Sequence, residues 1–278
     1  MITIYSNAIC AQKVLNKIKD ENTKNFLSSH MPVYMFGSVS YSILEAFDIF
    51  SKEPNTWIRN LENTIAQSDN KFFDICKKYI AKAPKDEKDI LCAYLSGCAL
   101  HKALVYRTAP YLKYALKDIS DIKPQNETVV KLDCAYCTEE KQTFDFANVL
   151  EQLSAKEIVS IENMYRFLIN ELQREIIPEN ILEDCVAKLK KALTQKKSIF
   201  KKTGREFIYA PLNDPEILNA AHKNWNDPQN PAEKNNFSYP ELVAYAERDS
   251  VKTLPKFLAL VQRALANESC EFLFRNMK

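Results

Sequence analysis

Glycine and histidine are scarce in this 278-residue chain, which has three residues of each type. The glycines are Gly37, Gly97 and Gly204. A dinucleotide-binding fold or a P-loop enzyme needs glycines where the backbone approaches phosphates, and a β-rich protein needs them in tight turns. Three glycines cannot supply those motifs, so the composition favours an all-α fold.

Long apolar runs are also missing, so the sequence predicts no membrane span. The first six residues, 1–6, lack the basic and apolar regions of a signal peptide, and we expect a cytoplasmic protein. Its eight cysteines are then expected to be thiols or metal ligands rather than disulfides. The net charge of +2 argues against a nucleic-acid partner.

The apolar residues along the sequence recur mainly with the spacing of α-helices. Pro84 is expected to precede a long helix that ends or kinks at Pro110, and residues 154–157 form a capping box before another helix. A short helix is predicted over 215–224, followed by a polar loop over 226–231. We expect one globular unit, with a helical domain over 1–203 and a helical C-terminal extension over 204–278 packed on it.

The predicted long helix carries a motif in which Gly97, His101, Pro110 and Tyr111 keep a recognisable frame. This frame resembles the central motif of the bacterial zinc-dependent phospholipase C family, whose relatives include zinc-dependent nucleases of the P1 type. The family motif runs Gly-x-x-x-His-x-x-x-Asp-x-x-x-His-Pro-Tyr. The resemblance implies an all-α, phospholipase C/P1 nuclease-like helical bundle.

The resemblance covers nearly the whole chain as a skeleton, but most positions that would carry zinc ligands hold other residues. In the first motif, only His101 still has the side chain that the family uses as a ligand. A second family motif has the form His-x-x-x-Glu-x-x-x-Asp, and only its final residue, Asp133, is retained here. The ligand positions that have been lost are Asn7, Ser42, Val105, Ala109, Gln125 and Val129.

This loss has a direct chemical consequence, because a three-zinc site needs many ligands to hold its ions and ionise a water molecule. One imidazole cannot do so. We therefore expect no cofactor and a non-catalytic binding or scaffolding protein, acting through a protein partner or a retained pocket, with apolar side chains filling the former metal cavity. The alternative is a phosphodiester or phospholipid hydrolase with a smaller, rebuilt metal site.

Two cysteine motifs offer a different zinc site. Cys98 and His101 form a CxxH pair, and Cys134 and Cys137 form a CxxC pair, so each pair shares one face of a helix. If the two helices form an antiparallel hairpin, the four side chains could meet as a tetrahedral structural zinc site, with Asp133 nearby. The competing interpretation is that these cysteines are ordinary core residues.

The segment 185–205 has eight basic residues and no acidic one. As an amphipathic helix it could rest on an anionic membrane surface or contact nucleic-acid phosphates. The competing interpretation, which we favour, is a helix packed on the core with a solvated basic face. The lysines proposed for lipid or anion binding are Lys190, Lys191, Lys196, Lys197, Lys201 and Lys202.

Overall fold

The computed structural model describes residues 3–48, 60–61, 63–65, 69–120, 122–141, 144–173, 179–194, 212–228 and 230–263. The fold is all-α, as the composition predicts. The helices are α1 (Ile4–Lys17), α2 (Glu21–Ser29), α3 (Met31–Gly37), a 3₁₀ helix (Ser40–Asp48), α4 (Asp69–Lys82), α5 (Lys85–Leu116), α6 (Ile122–Glu139), α7 (Phe146–Gln152), α8 (Ala155–Gln173), α9 (Ile181–Thr194) and α10 (Tyr239–Arg263).

The central helix α5 begins directly after Pro84, as predicted, and Asp86 and Glu87 in its first turn complement the helix dipole. It does not end at Pro110 but continues to Leu116. Pro110 has no N–H, so the carbonyl of Tyr106 loses its helical partner. Tyr106 as a residue is 43% exposed, so this interruption lies on an exposed side of the helix.

The crossing of α3 and α5 depends on two glycines. A Cβ atom added at Gly37 would collide with the carbonyl of Tyr94, and one added at Gly97 would collide with the carbonyl of Tyr34. The two backbones therefore touch directly, which only glycine permits. This contact fixes the end of α3 against α5, four residues before His101.

Helices α1 and α10 complete the core around α5. α10 packs along α5 and against α1, while α6 packs mainly on α1, and α8 packs on α4 and α5. The expected domain boundary at 203/204 lies outside the described residues. α10, in the expected C-terminal extension, shares the core with α1 and α5.

The segment after α9 differs from its prediction. Residues 215–221 form turns rather than a helix, with left-handed φ angles of 54° at Asn219 and 51° at His222. The expected polar loop is an antiparallel hairpin of β1 (Trp225–Asp227) and β2 (Asn230–Asn235). Trp225 anchors it, because its buried ring lies 5.4 Å from the ring of Tyr111.

The described helices can be compared with the length and apolar character of a membrane-spanning helix. None of them combines the length and the apolar character that crossing a bilayer requires.

Candidate functional site

A pocket of about 210 Å³ lies beside α5 at His101, and we call it the His101 pocket. Its polar lining residues are Thr3, Tyr41, Ser42, Asn63, His101 and Thr108. Its apolar lining residues are Leu104, Val105, Leu112, Leu116 and Val129. None of these described lining residues is acidic, and none is Lys or Arg, so the described lining contributes no charge while the imidazole is neutral.

His101 is 5% exposed and is held by its Nδ1 atom. Nδ1 lies 3.0 Å from the carbonyl oxygen of Ser38 and 3.1 Å from Oδ1 of Asn7. A carbonyl oxygen can only accept, so Nδ1 must carry the hydrogen. Burial lowers the pKa of His101 to about 4, partly offset by the bond to Ser38. The ring is therefore neutral near pH 7, with a lone pair on Nε2.

Nε2 of His101 reaches the pocket. No hydrogen bond to Nε2 occurs within the described residues. Among the described buried side-chain nitrogen and oxygen atoms, only those of Lys77 and Ser250 lack both a hydrogen-bond partner and contact with solvent. Nε2 therefore touches solvent, and His101 faces solvent at the pocket. A metal ion or a hydrogen-bond donor that enters the pocket would therefore contact the lone pair of Nε2, while Nδ1 stays bonded to the carbonyl of Ser38.

Several positions that the resemblance assigned to lost zinc ligands converge on this site. Ser42, Val105 and Val129 line the pocket with His101. Asn7 contacts the imidazole and donates from Nδ2 to the backbone carbonyl of Thr3 and, over 2.8 Å, to its Oγ1. The structure thus gathers residues from α1, the 3₁₀ helix, α5 and α6 around one imidazole.

The two remaining lost-ligand positions lie apart from the pocket lining. Ala109 is half-buried one residue beyond Thr108, and Gln125 donates from Nε2 to the carbonyl of Ile119 over 2.7 Å. The expected apolar filling is incomplete. Val105 is 40% exposed at the pocket, so its isopropyl group lies at the opening and the space remains.

Asp133 has a different role from a metal ligand. It is fully buried and accepts hydrogen bonds from Tyr5 N (2.8 Å), Ser6 N (2.7 Å) and Ser6 Oγ (2.6 Å). These donors lie in the first turn of α1, so the carboxylate caps that helix and ties it to α6. Burial raises the pKa of Asp133 to about 6, against the lowering effect of its hydrogen bonds.

The four-ligand zinc site is not assembled. Among the described residues, no three His, Cys, Asp or Glu side chains lie close enough to hold a metal ion. Cys98 is buried and hydrogen-bonded with Ser40 and Tyr94, and burial raises its pKa to about 12. Cys134 and Cys137 lie on α6, which packs mainly on α1 rather than forming the expected hairpin with α5. The proposed meeting of Cys98 and His101 with Cys134 and Cys137 is therefore wrong.

The basic segment is described only to Thr194. The apolar residues Leu182, Val186 and Leu189 of α9 are buried in the core, so this face of the helix is not free to enter a bilayer. Lys190 pairs with Glu151 at 3.0 Å, and Lys191 also has a partner. The other four lysines predicted to bind lipid or anions lie outside the residues that the structure describes: Lys196, Lys197, Lys201 and Lys202.

Some lining residues carry no signal in the sequence. Tyr41 places its ring 5.7 Å from the imidazole, edge to face, and Leu112 and Leu116 extend the pocket beyond Pro110. Helical spacing from His101 could have indicated Leu104, Val105, Thr108 and Leu112 as one face, had α5 been extended past the proline.

Comparison with known proteins adds no relative. No protein-family model matches the chain, and no curated protein or solved structure matches it significantly.

Proposed function

We propose that this chain is a non-catalytic binding protein on a phospholipase C-like helical scaffold, and that the His101 pocket is its ligand site. The observation that carries the proposal is the isolation of the imidazole. His101 bonds to a carbonyl and an amide, and no carboxylate lies among the described lining residues.

Zinc does not fit the side chains at this site. A catalytic zinc needs at least three protein ligands with an open fourth position. At the positions that the resemblance assigns to zinc ligands, the site offers Asn7, Ser42, Val105 and Val129 beside His101. Two of these are hydrocarbons, and the oxygen of Asn7 already accepts from the imidazole, so the ligand count falls short.

A retained pocket is consistent with binding. Uncharged lining residues, both polar and apolar, surround one oriented acceptor. Small-molecule pockets usually combine apolar side chains with polar groups that orient the ligand. The burial of the apolar face of α9 weighs against the alternative of peripheral lipid binding.

Hydrolysis assays test this proposal. The full chain, with and without added zinc, is assayed on nitrophenyl phosphorylcholine, phosphatidylcholine and single-stranded DNA. The matched control is His101→Gln, which removes the imidazole and keeps a polar side chain. We expect the two proteins to give the same background rate. Zinc-dependent turnover that the variant loses would favour the hydrolase alternative instead.

A further inference from the structure

We propose that the His101 pocket binds a small uncharged molecule with an apolar body and one hydroxyl or N–H group, which donates a hydrogen bond to Nε2 of His101. This inference rests on the proposed function and names the ligand class of the same site.

The acceptor is fixed before any ligand arrives. The carbonyl of Ser38 holds the hydrogen on Nδ1, and the glycine contact between α3 and α5 holds that carbonyl in place. Nε2 is therefore an acceptor in the neutral tautomer, and a ligand must bring the donor. Because burial lowers the pKa of His101 to about 4, this tautomer persists through the neutral range.

The volume limits the size of the ligand. A dry, apolar cavity of about 150 Å³ holds benzene, so about 210 Å³ accommodates one six-membered ring with a few further atoms. The apolar body would lie against Leu104, Leu112 and Val129.

The charge of the lining limits the class of the ligand. A phosphate or ammonium group moved from water into a pocket without an opposite charge carries a large desolvation penalty. The described lining residues supply no such charge. Uncharged ligands avoid this desolvation penalty. A hydroxyl or N–H group on such a ligand can also donate a hydrogen bond to the lone pair of Nε2.

Two probes of equal size separate the hydrogen bond from simple apolar burial. Phenol and fluorobenzene each have one ring and one substituent, but only phenol can donate. Binding is followed by titration calorimetry and by the ¹⁵N shift of the imidazole. We expect phenol to bind about tenfold more tightly than fluorobenzene, as one added hydrogen bond allows, and to shift Nε2. We expect benzoate not to bind.

Two valine variants locate the binding. Val105→Trp places an indole at the exposed edge of the pocket, whereas Val159→Trp makes the same change at a 53% exposed position outside the lining. Phenol binding should be lost in the first variant and kept in the second. Equal affinity for the two probes, no saturable binding of phenol, or binding unaffected by Val105→Trp would each overturn the ligand class. The proposed function would fail through zinc-dependent hydrolysis, whereas the ligand class would fail through these binding measurements, so the two failures are distinguishable.

Discussion

Replacing His101 or Asp133 should expose two opposite pH effects that cancel in the unmodified protein. His101 has a folded pKa of about 4 and a reference value of 6.5. Between these values the unfolded chain binds the extra proton, so stability falls as pH falls. At 1.36 kcal/mol per pKa unit, the loss is about 3 kcal/mol.

Asp133 works in the other direction. Its folded pKa is about 6, against a reference value of 3.8, so the folded state takes up the proton first. Stability from this group is fully present below 3.8 and is lost as pH rises through 6. Acidification therefore restores about 3 kcal/mol, which nearly offsets the loss from His101.

Urea unfolding at a series of pH values from 7 to 4 measures both effects. Relative to the unmodified chain, His101→Gln should gain about 3 kcal/mol of unfolding free energy across this range, and Asp133→Asn should lose about the same amount. Other carboxylates titrate in all three proteins and cancel in the differences. If either difference is independent of pH, the corresponding group does not have the shifted pKa.

Three further substitutions, the first paired with a control variant, test the contacts that hold the helices together. Gly97→Ala should cost about 3 kcal/mol or more in chemical denaturation, because the new methyl group meets the carbonyl of Tyr34, while Ala99→Gly, two residues along α5, should cost only about 1 kcal/mol. Ser154→Ala should cost about 1 kcal/mol by breaking the capping box with Glu157, and a change below about 0.3 kcal/mol would show that the cap contributes little. Tyr239→Phe should cost about 1 kcal/mol through the lost hydrogen bond to Ser6, measured by the same denaturation.

The helical framework could be predicted because its signals are local. Pro84 marks the start of α5, and Ser154 and Glu157 form the predicted capping box, with Ser154 N donating to the carboxylate over 2.7 Å. The β-hairpin could not be predicted, since its strand residues lack apolar alternation and Trp225 is fixed by aromatic contacts with α5.

The site could be predicted only in part. The resemblance placed Ser42 and Val129 with His101, which no local pattern would have done, whereas helical spacing alone also indicates Val105. The cysteine site failed because i and i+3 spacing orders residues within a helix, whereas the neighbour of α6 is chosen by packing across the whole core. Asp133 accepts hydrogen bonds from donors more than 120 positions earlier in the chain, and local sequence spacing cannot predict such a long-range contact.

The zinc content of the full chain decides whether the His101 pocket has lost its metal site. The protein is purified without chelators, loaded with zinc, dialysed and measured by elemental analysis beside His101→Gln. We expect far less than one zinc per chain in both proteins, because one imidazole among amide, hydroxyl and hydrocarbon groups cannot hold the ion. Stoichiometric zinc that disappears in the variant would contradict this expectation.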